Sequence, residues 1–114
     1  MAAKLKSKEG LKDYLLLLSK VEPIDPVTQR NLLLQCSAGD PVAVREMVEA
    51  FLPRVLHWVA PRRGEAFSFQ ELIAIGNCAL IEMVKNYKGD PAKFETRACM
   101  AVHAALDTAL KMGA

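Results

Sequence analysis

The sequence predicts an all-α protein, a compact bundle of about five helices that forms one domain over residues 1–114. Apolar residues recur at i, i+3 and i+4 through several long segments, which is the spacing of one helix face. No segment alternates between apolar and polar residues with period two, as a half-buried strand would. Hydrophobic residues make up 52% of the chain and charged residues 25%, which is typical of a folded domain rather than a disordered one.

A first helix is predicted from Leu11 to Lys20, and residues 1–10 are expected to be frayed. Pro23 ends this segment, because proline cannot continue a helix. The apolar stripe of the helix consists of Leu11, Tyr14, Leu15 and Leu18.

The second helix is predicted to begin with Asp25 as its N-cap and Pro26 at the first helical position, and to end at Gly39. Asp40 and Pro41 repeat the same arrangement at once and start the third helix. The apolar surface of the second helix comes from Leu32, Leu33 and Cys36.

The third helix is predicted from Pro41 to about Ala60. Pro53 falls on its outward side, where the missing N–H is expected to bend the helix or to divide it. Residues 61–64 then form a loop. The inner face of this helix carries an almost unbroken series at i, i+3 and i+4, namely Val44, Met47, Val48, Phe51, Leu52, Val55, Trp58 and Val59.

The central helix, around which the rest of the chain is organised, is predicted between Ser68 and Gly89. Ser68 and Glu71 have the spacing of a capping box, in which each residue's side chain bonds the other's backbone N–H. Phe67 and Leu72 occupy the two positions of a hydrophobic staple around that cap. The core stripe consists of Phe69, Leu72, Ile73, Gly76, Ala79, Leu80, Met83, Val84 and Tyr87.

The opposite side of the central helix is also partly apolar, since Ala74, Ile75, Cys78 and Ile81 lie there beside polar residues. A helix that is apolar on more than one face has a second surface to bury. Two interpretations are open: another helix of this chain covers that side, or a partner does.

A last helix is predicted from Phe94 to Met112, and its small residues favour close packing. Its inward positions are Phe94, Ala98, Ala101, Val102, Ala105, Leu106 and Ala109.

The net charge is +2, weaker than the basic excess of a domain that mainly holds a nucleic-acid backbone. The three cysteines are widely separated and include no C-x-x-C pair, which favours reduced thiols in a cytoplasmic protein. The run from Leu15 to Leu18 is too short to span a bilayer, so no membrane association is expected.

Motifs for catalysis are missing from the sequence, which favours a protein that is not an enzyme and needs no cofactor. Cys99 and His103 lie four residues apart on one helix face, but two ligands do not complete a zinc site, and no metal is expected. His57 is expected to be solvated.

A family resemblance is carried by residues in a fixed order: Glu71-Leu72-Ile73, Gly76-Asn77, Leu80, Tyr87 and Phe94-x-Thr96-x-Ala98. This order resembles the second conserved region of bacterial RNA polymerase sigma factors of the housekeeping type. There the pattern reads acidic-L-I-Q-E-G-N-x-G-L, followed by F-S-T-Y-A-x-W-W-I-R. Segments that are similar to the preceding part of that family are Tyr14-Leu15, the helix from Pro26 to Gly39, and Phe51-Leu52-Pro53-x-Val55.

The resemblance implies a sigma region 2-like fold and a role in transcription initiation. In sigma factors the central helix binds the coiled-coil clamp helices of the largest RNA polymerase subunit. Glu71, Asn77 and Ile81 match docking positions and keep an acid, an amide and an aliphatic group. Ala74 and Ile75 stand where the family has Gln and Glu, so that part of the surface is apolar here. The full set expected to bind a partner is Glu71, Ala74, Ile75, Asn77, Cys78 and Ile81.

The resemblance also implies promoter contacts, because the next helix of sigma factors captures the non-template strand of the minus-ten element. Arg97, Met100 and Ala101 stand where the family places a Tyr and two Trp, and His103 where it has an Arg. Aromatic stacking contributes about 1–3 kcal/mol per base, so we expect weak capture of bases rather than promoter melting. The residues expected to contact DNA are Arg97, Met100 and His103. Because the chain ends at Ala114, no binding to the upstream promoter element is expected.

Two functions follow from these patterns. One is a divergent sigma-like factor that binds RNA polymerase and contacts promoter DNA. The other is a protein-interaction module with the same fold, which binds an anti-sigma factor or a second copy of itself without binding DNA.

Overall fold

The computed structural model describes residues 8–64 and 66–113, and these residues form a bundle of five α-helices. The helices are α1 (Lys8–Leu18), α2 (Pro26–Ser37), α3 (Pro41–Val59), α4 (Phe69–Asn86) and α5 (Phe94–Gly113). Two single 3₁₀ turns complete the secondary structure of these residues: Ala60–Arg62 directly follows α3, and Pro91–Lys93 directly precedes α5. The described part of the chain contains no strand, which confirms the predicted all-α class. None of its helices is long and apolar enough to cross a membrane.

Helices α2, α3 and α4 each begin directly after a residue whose side chain accepts a hydrogen bond from a free backbone N–H of the first turn. Asp25 Oδ1 accepts from the N–H of Thr28 at 2.8 Å, and Asp40 Oδ1 accepts from Val42 at 2.9 Å. At α4, the Ser68 N–H donates to the Glu71 carboxylate at 3.0 Å, and the Glu71 N–H donates to the Ser68 hydroxyl at 3.2 Å. The predicted capping box is therefore confirmed, as are the Asp-Pro starts of α2 and α3.

The core lies between α3, α4 and α5. Phe51, Leu80 and Val102 are 0% exposed and Leu72 is 2% exposed, as predicted for these residues. Tyr14 and Leu18 add α1 to this core, while Leu32, Leu33 and Cys36 add α2. The remaining buried hydrophobic residues are Ala43, Met47, Leu52, Val55, Val59, Ile73, Val84, Phe94, Ala98 and Leu106.

At Gly76, α4 lies close against α3 and α5. A Cβ atom at this position would lie 2.7 Å from Cγ1 of Val55, 3.1 Å from Cγ1 of Val59 and 3.4 Å from Cγ1 of Val102. Any larger residue must therefore push α4 away from α3 or displace a stiff β-branched side chain.

The helix α1 differs from its prediction in two ways. It begins at Lys8, within the segment expected to be frayed, whereas residues 1–7 lie outside the described part of the chain. Leu15, predicted to belong to the inner stripe, is 36% exposed, because the face buried by Tyr14 and Leu18 does not reach it. On a helix, consecutive residues point about 100° apart, so a run of four leucines cannot share one face.

The helix α3 is continuous from Pro41 to Val59, so of the two outcomes expected at Pro53, bending or division, division does not occur. A proline removes only one intrahelical hydrogen bond. Phe51 and Leu52 before Pro53, and Val55 after it, are buried, so core packing holds both sides of the proline in one helix. Pro53 is half-buried rather than fully outward, and it lines a small hollow together with Leu15 of α1.

The end of α4 also differs from the prediction. The helix stops at Asn86, and Tyr87 is already extended, with φ −71° and ψ 126°. Gly89, predicted to stop α4, lies three residues beyond Asn86 in an exposed connection. The hydroxyl of Tyr87 donates to the carbonyl of Asp90, which folds this connection back on itself.

A series of aromatic and guanidinium groups crosses the bundle at that end. The Phe51 and Phe94 rings are 5.2 Å apart edge to face, and Phe94 and Tyr87 are 5.1 Å apart in the same arrangement. Arg54 lies over the Phe51 ring at 4.5 Å, and Arg97 lies 6.0 Å from the Tyr87 ring. Phe94 thus joins α5 directly to Phe51 of α3 and to Tyr87 of the connection that follows α4.

Candidate protein-docking face

The outward side of α4 presents three exposed residues in one row. Glu71, Ala74 and Cys78 are spaced i, i+3 and i+7 and are all exposed. Ile75 and Ile81 are half-buried and flank this row on opposite sides, about 120° apart on the helix. We call Glu71, Ala74 and Cys78 the α4 row.

On one side of the α4 row, Ile75 packs against the core and faces α5. A shallow hollow of about 410 Å³ lies there. Its lining residues are Ala74, Ile75, Cys78, Ala79, Glu82 and Ala105. We call this the α4–α5 hollow.

On the other side, Ile81 lines a groove of about 600 Å³ that runs along α3. The apolar floor of this α3–α4 groove consists of Cys36, Val44, Val48, Leu52 and Ile81. Arg45, Glu49 and Lys85 stand at its rim. The sequence placed Ile75 and Ile81 on one working surface, whereas the structure assigns them to two separate depressions.

Asn77 is hydrogen-bonded to α1. Its side-chain Nδ2 donates to the hydroxyl oxygen of Tyr14 at 3.0 Å, and the residue is half-buried. Its Oδ1 atom is buried and has no hydrogen-bond partner. Burial raises the pKa of Tyr14, an effect that the bond from Asn77 reduces. This pairing joins residues 63 positions apart, so no local pattern could have indicated it.

Glu71 combines an exposed position with a structural role. The hydrogen bonds from the backbone and side chain of Ser68 lower the pKa of its carboxyl. The group therefore remains negatively charged near neutral pH while it caps α4.

The three residues expected to contact DNA lie along one side of α5, at i, i+3 and i+6. Arg97 is exposed and Met100 is 65% exposed, so both side chains reach solvent. His103 is half-buried, and its carbonyl oxygen accepts from a guanidinium nitrogen of Arg62 at 3.3 Å. That same Arg62 side chain pairs with Asp107 at 2.6 Å, which fixes the turn after α3 against α5.

The cysteines and histidines do not come together as a ligand set. Cys36 is buried and Cys99 is half-buried, and burial raises the pKa of both thiols. Cys78 is exposed, and His57 is exposed as predicted. Within the described ranges, no group of three or more His, Cys, Asp or Glu residues could hold a metal ion.

No family model, curated protein or solved structure matches this chain.

Proposed function

We propose that this chain is a divergent sigma-like transcription protein that binds the largest subunit of bacterial RNA polymerase through the α4 row. The observation that carries the proposal is the exposure of Glu71, Ala74 and Cys78 on one side of α4, the helix whose sequence resembles the polymerase-binding helix of sigma factors. Glu71 supplies the acidic group that this pattern has at its first position.

A second part of the proposal concerns promoter DNA. Arg97 and Met100 are exposed on α5, the helix whose sequence resembles the strand-capturing helix of the family. One guanidinium and a thioether offer charge and an apolar contact, but no aromatic ring on which a base can stack. We therefore expect binding to single-stranded DNA to be weak, insensitive to sequence and strongly reduced by salt.

One observation favours a different function. The α4–α5 hollow is lined by Ala74, Ile75 and Ala105, where the resembling family has Gln and Glu at the first two positions. An apolar depression of this kind suits a protein partner that the family's polar surface would not bind. The second candidate is therefore an interaction module, whose partner is an anti-sigma factor or a second copy of this chain.

The test is binding of the fluorescently labelled chain to purified bacterial core RNA polymerase. The double variant Ala74→Arg, Cys78→Arg places two bulky cations in the α4 row, and we expect it to abolish binding. Glu46→Arg on α3 is the matched control, because it is exposed and changes the net charge by the same +2. Arginine is a good helix former, so both variants are expected to fold.

Failure of the wild-type chain to bind core polymerase contradicts the proposal, and so does a double variant that binds as well as the control. Sedimentation velocity of the chain alone then tests the second candidate. A dimer that the Ala74→Arg, Cys78→Arg variant disrupts would assign this surface to self-association.

A further inference from the structure

The α3–α4 groove is a large depression with a mainly apolar lining, and the proposed docking on polymerase does not use its walls. Cys36 and Leu52 are buried at its base, while Val44, Val48 and Ile81 are half-buried along its sides. These three side chains therefore still have apolar surface that a further group can cover.

The dimensions of the groove match one face of a helix. Val44, Val48 and Leu52 follow one another at i, i+4 and i+8 on α3, a rise of about 12 Å at 1.5 Å per residue. Ile81 and Lys85 form the opposite wall, one turn apart on α4. A helix laid between two such walls contacts them with residues at i, i+3 or i+4, and i+7.

The rim of the groove carries an excess of positive charge. Arg45 and Lys85 are both exposed, and Glu49 is the one acidic residue among the lining groups. Arg45 and Glu49 approach only to 4.0 Å, with side chains 69% and 63% exposed. A solvated pair of this kind holds its members weakly. Two cations on opposite walls are thus available to an acidic partner.

We propose that the α3–α4 groove binds an amphipathic helix of a partner protein, in which acidic residues flank an apolar stripe. The apolar stripe covers Val44, Val48 and Ile81, and the flanking carboxylates meet Arg45 and Lys85. This inference does not depend on polymerase binding, since it involves none of the α4 row.

The test uses the full chain and three synthetic 16-residue helical peptides, measured by fluorescence anisotropy. The first peptide has Leu at i, i+4 and i+7 with Glu on both flanks, the second replaces Glu by Lys, and the third replaces Leu by Ser. We expect the acidic peptide to bind roughly tenfold more tightly than the basic one, since its carboxylates attract Arg45 and Lys85, which lysines would repel. The Ser peptide should not bind.

The double variant Arg45→Glu, Lys85→Glu reverses the rim charge and should reverse the preference between acidic and basic peptides. Lys12→Glu with Lys20→Glu is the matched control, because both lysines are exposed outside the groove and the net charge changes equally. The control should leave the preference for the acidic peptide in place.

The proposal is overturned if neither charged peptide binds, or if the charge-reversed groove and the control show the same preference. Binding of the Ser peptide as strongly as the Leu peptide would also overturn it, because the apolar floor would then contribute nothing. Dimerisation of the chain that depends on Arg45 and Lys85 would instead assign the groove to a second copy.

Discussion

The centre of the bundle and the helix α1 hold their apolar residues very differently. Phe51, Leu80 and Val102 are completely buried between α3, α4 and α5. In α1, by contrast, Leu16 is 60% exposed and Leu17 is 59% exposed, although this helix contains the densest run of leucines. Burial therefore follows the spacing of apolar residues along a helix, and the number of them in a segment is a poor guide to how firmly it is attached.

The largest expected effect is at Leu80. Replacing this fully buried side chain by alanine should lower the free energy of unfolding by about 2–5 kcal/mol, as for other large aliphatic side chains in cores. Leu16→Ala makes the same chemical change on the surface of α1 and should cost less than about 0.5 kcal/mol. Denaturant titration measures the free energy of unfolding of both variants. Equal losses would contradict the difference in burial between the centre and α1.

Gly76→Ala should destabilise the centre by a different route. The added methyl group meets Val55 at 2.7 Å, and overpacking of this kind costs about 1–3 kcal/mol. The better helix propensity of alanine offsets about 1 kcal/mol of that cost.

Adding Val55→Ala to Gly76→Ala removes the atom that clashes. The double variant should therefore lose less unfolding free energy than the two single variants lose together, as measured by thermal or denaturant unfolding of all three. Strict additivity would show that the two helices are not in contact at this point.

Tyr14→Phe tests the attachment of α1. The variant keeps the buried ring but leaves the amide of Asn77 without its partner, so it should cost about 1 kcal/mol at neutral pH. Asn77→Ala removes the amide as well, and a cycle between the two positions isolates their coupling. A coupling energy of zero would mean that the hydrogen bond contributes nothing to holding α1.

The loss in Tyr14→Phe should depend on pH in a defined direction. Burial raises the pKa of Tyr14 in the folded chain, so the neutral hydroxyl stabilises the fold fully below about pH 10, the pKa of an unfolded tyrosine. This contribution is lost as the pH rises through the raised value. The stability of the wild-type chain should therefore fall toward that of the variant above about pH 10.

Apart from the surface control Leu16→Ala, the smallest expected effect belongs to the ion pair between Arg62 and Asp107. The carboxylate is 62% exposed, and pairs with an exposed member usually contribute about 1 kcal/mol or less. Asp107→Asn should therefore cost less than Tyr14→Phe, and 1 M salt should reduce the difference from wild type. A larger loss would mean that the turn after α3 is held as firmly as the centre.

Sequence reasoning was most successful where the determining interactions are local. The caps at Asp25, Asp40 and Ser68 each involve residues within three positions, and the inner faces of α3 and α5 follow a simple period. At Pro53 the local pattern left bending and division open, and α3 is not divided there, because the burial of residues on both sides of the proline is a tertiary effect.

The candidate site was less accessible to the same reasoning. A helical wheel places Ala74, Ile75, Cys78 and Ile81 on one broad side, but it cannot show that α5 borders one edge and α3 the other. Nor does it indicate that Tyr14 reaches Asn77. These facts depend on which helices are neighbours, and neighbours separated by many residues leave no signal in a local pattern.

The edge-to-face rings of Phe51, Phe94 and Tyr87 give the molecule its own reporter. Phe94 lies between the other two, so in a nuclear magnetic resonance spectrum its ring protons should be shifted by both neighbouring ring currents. Because the three rings come from α3, α5 and the connection after α4, any loosening at this end of the bundle would return the Phe94 resonances toward their free positions. Loosening of this end of the bundle can thus be followed at one residue.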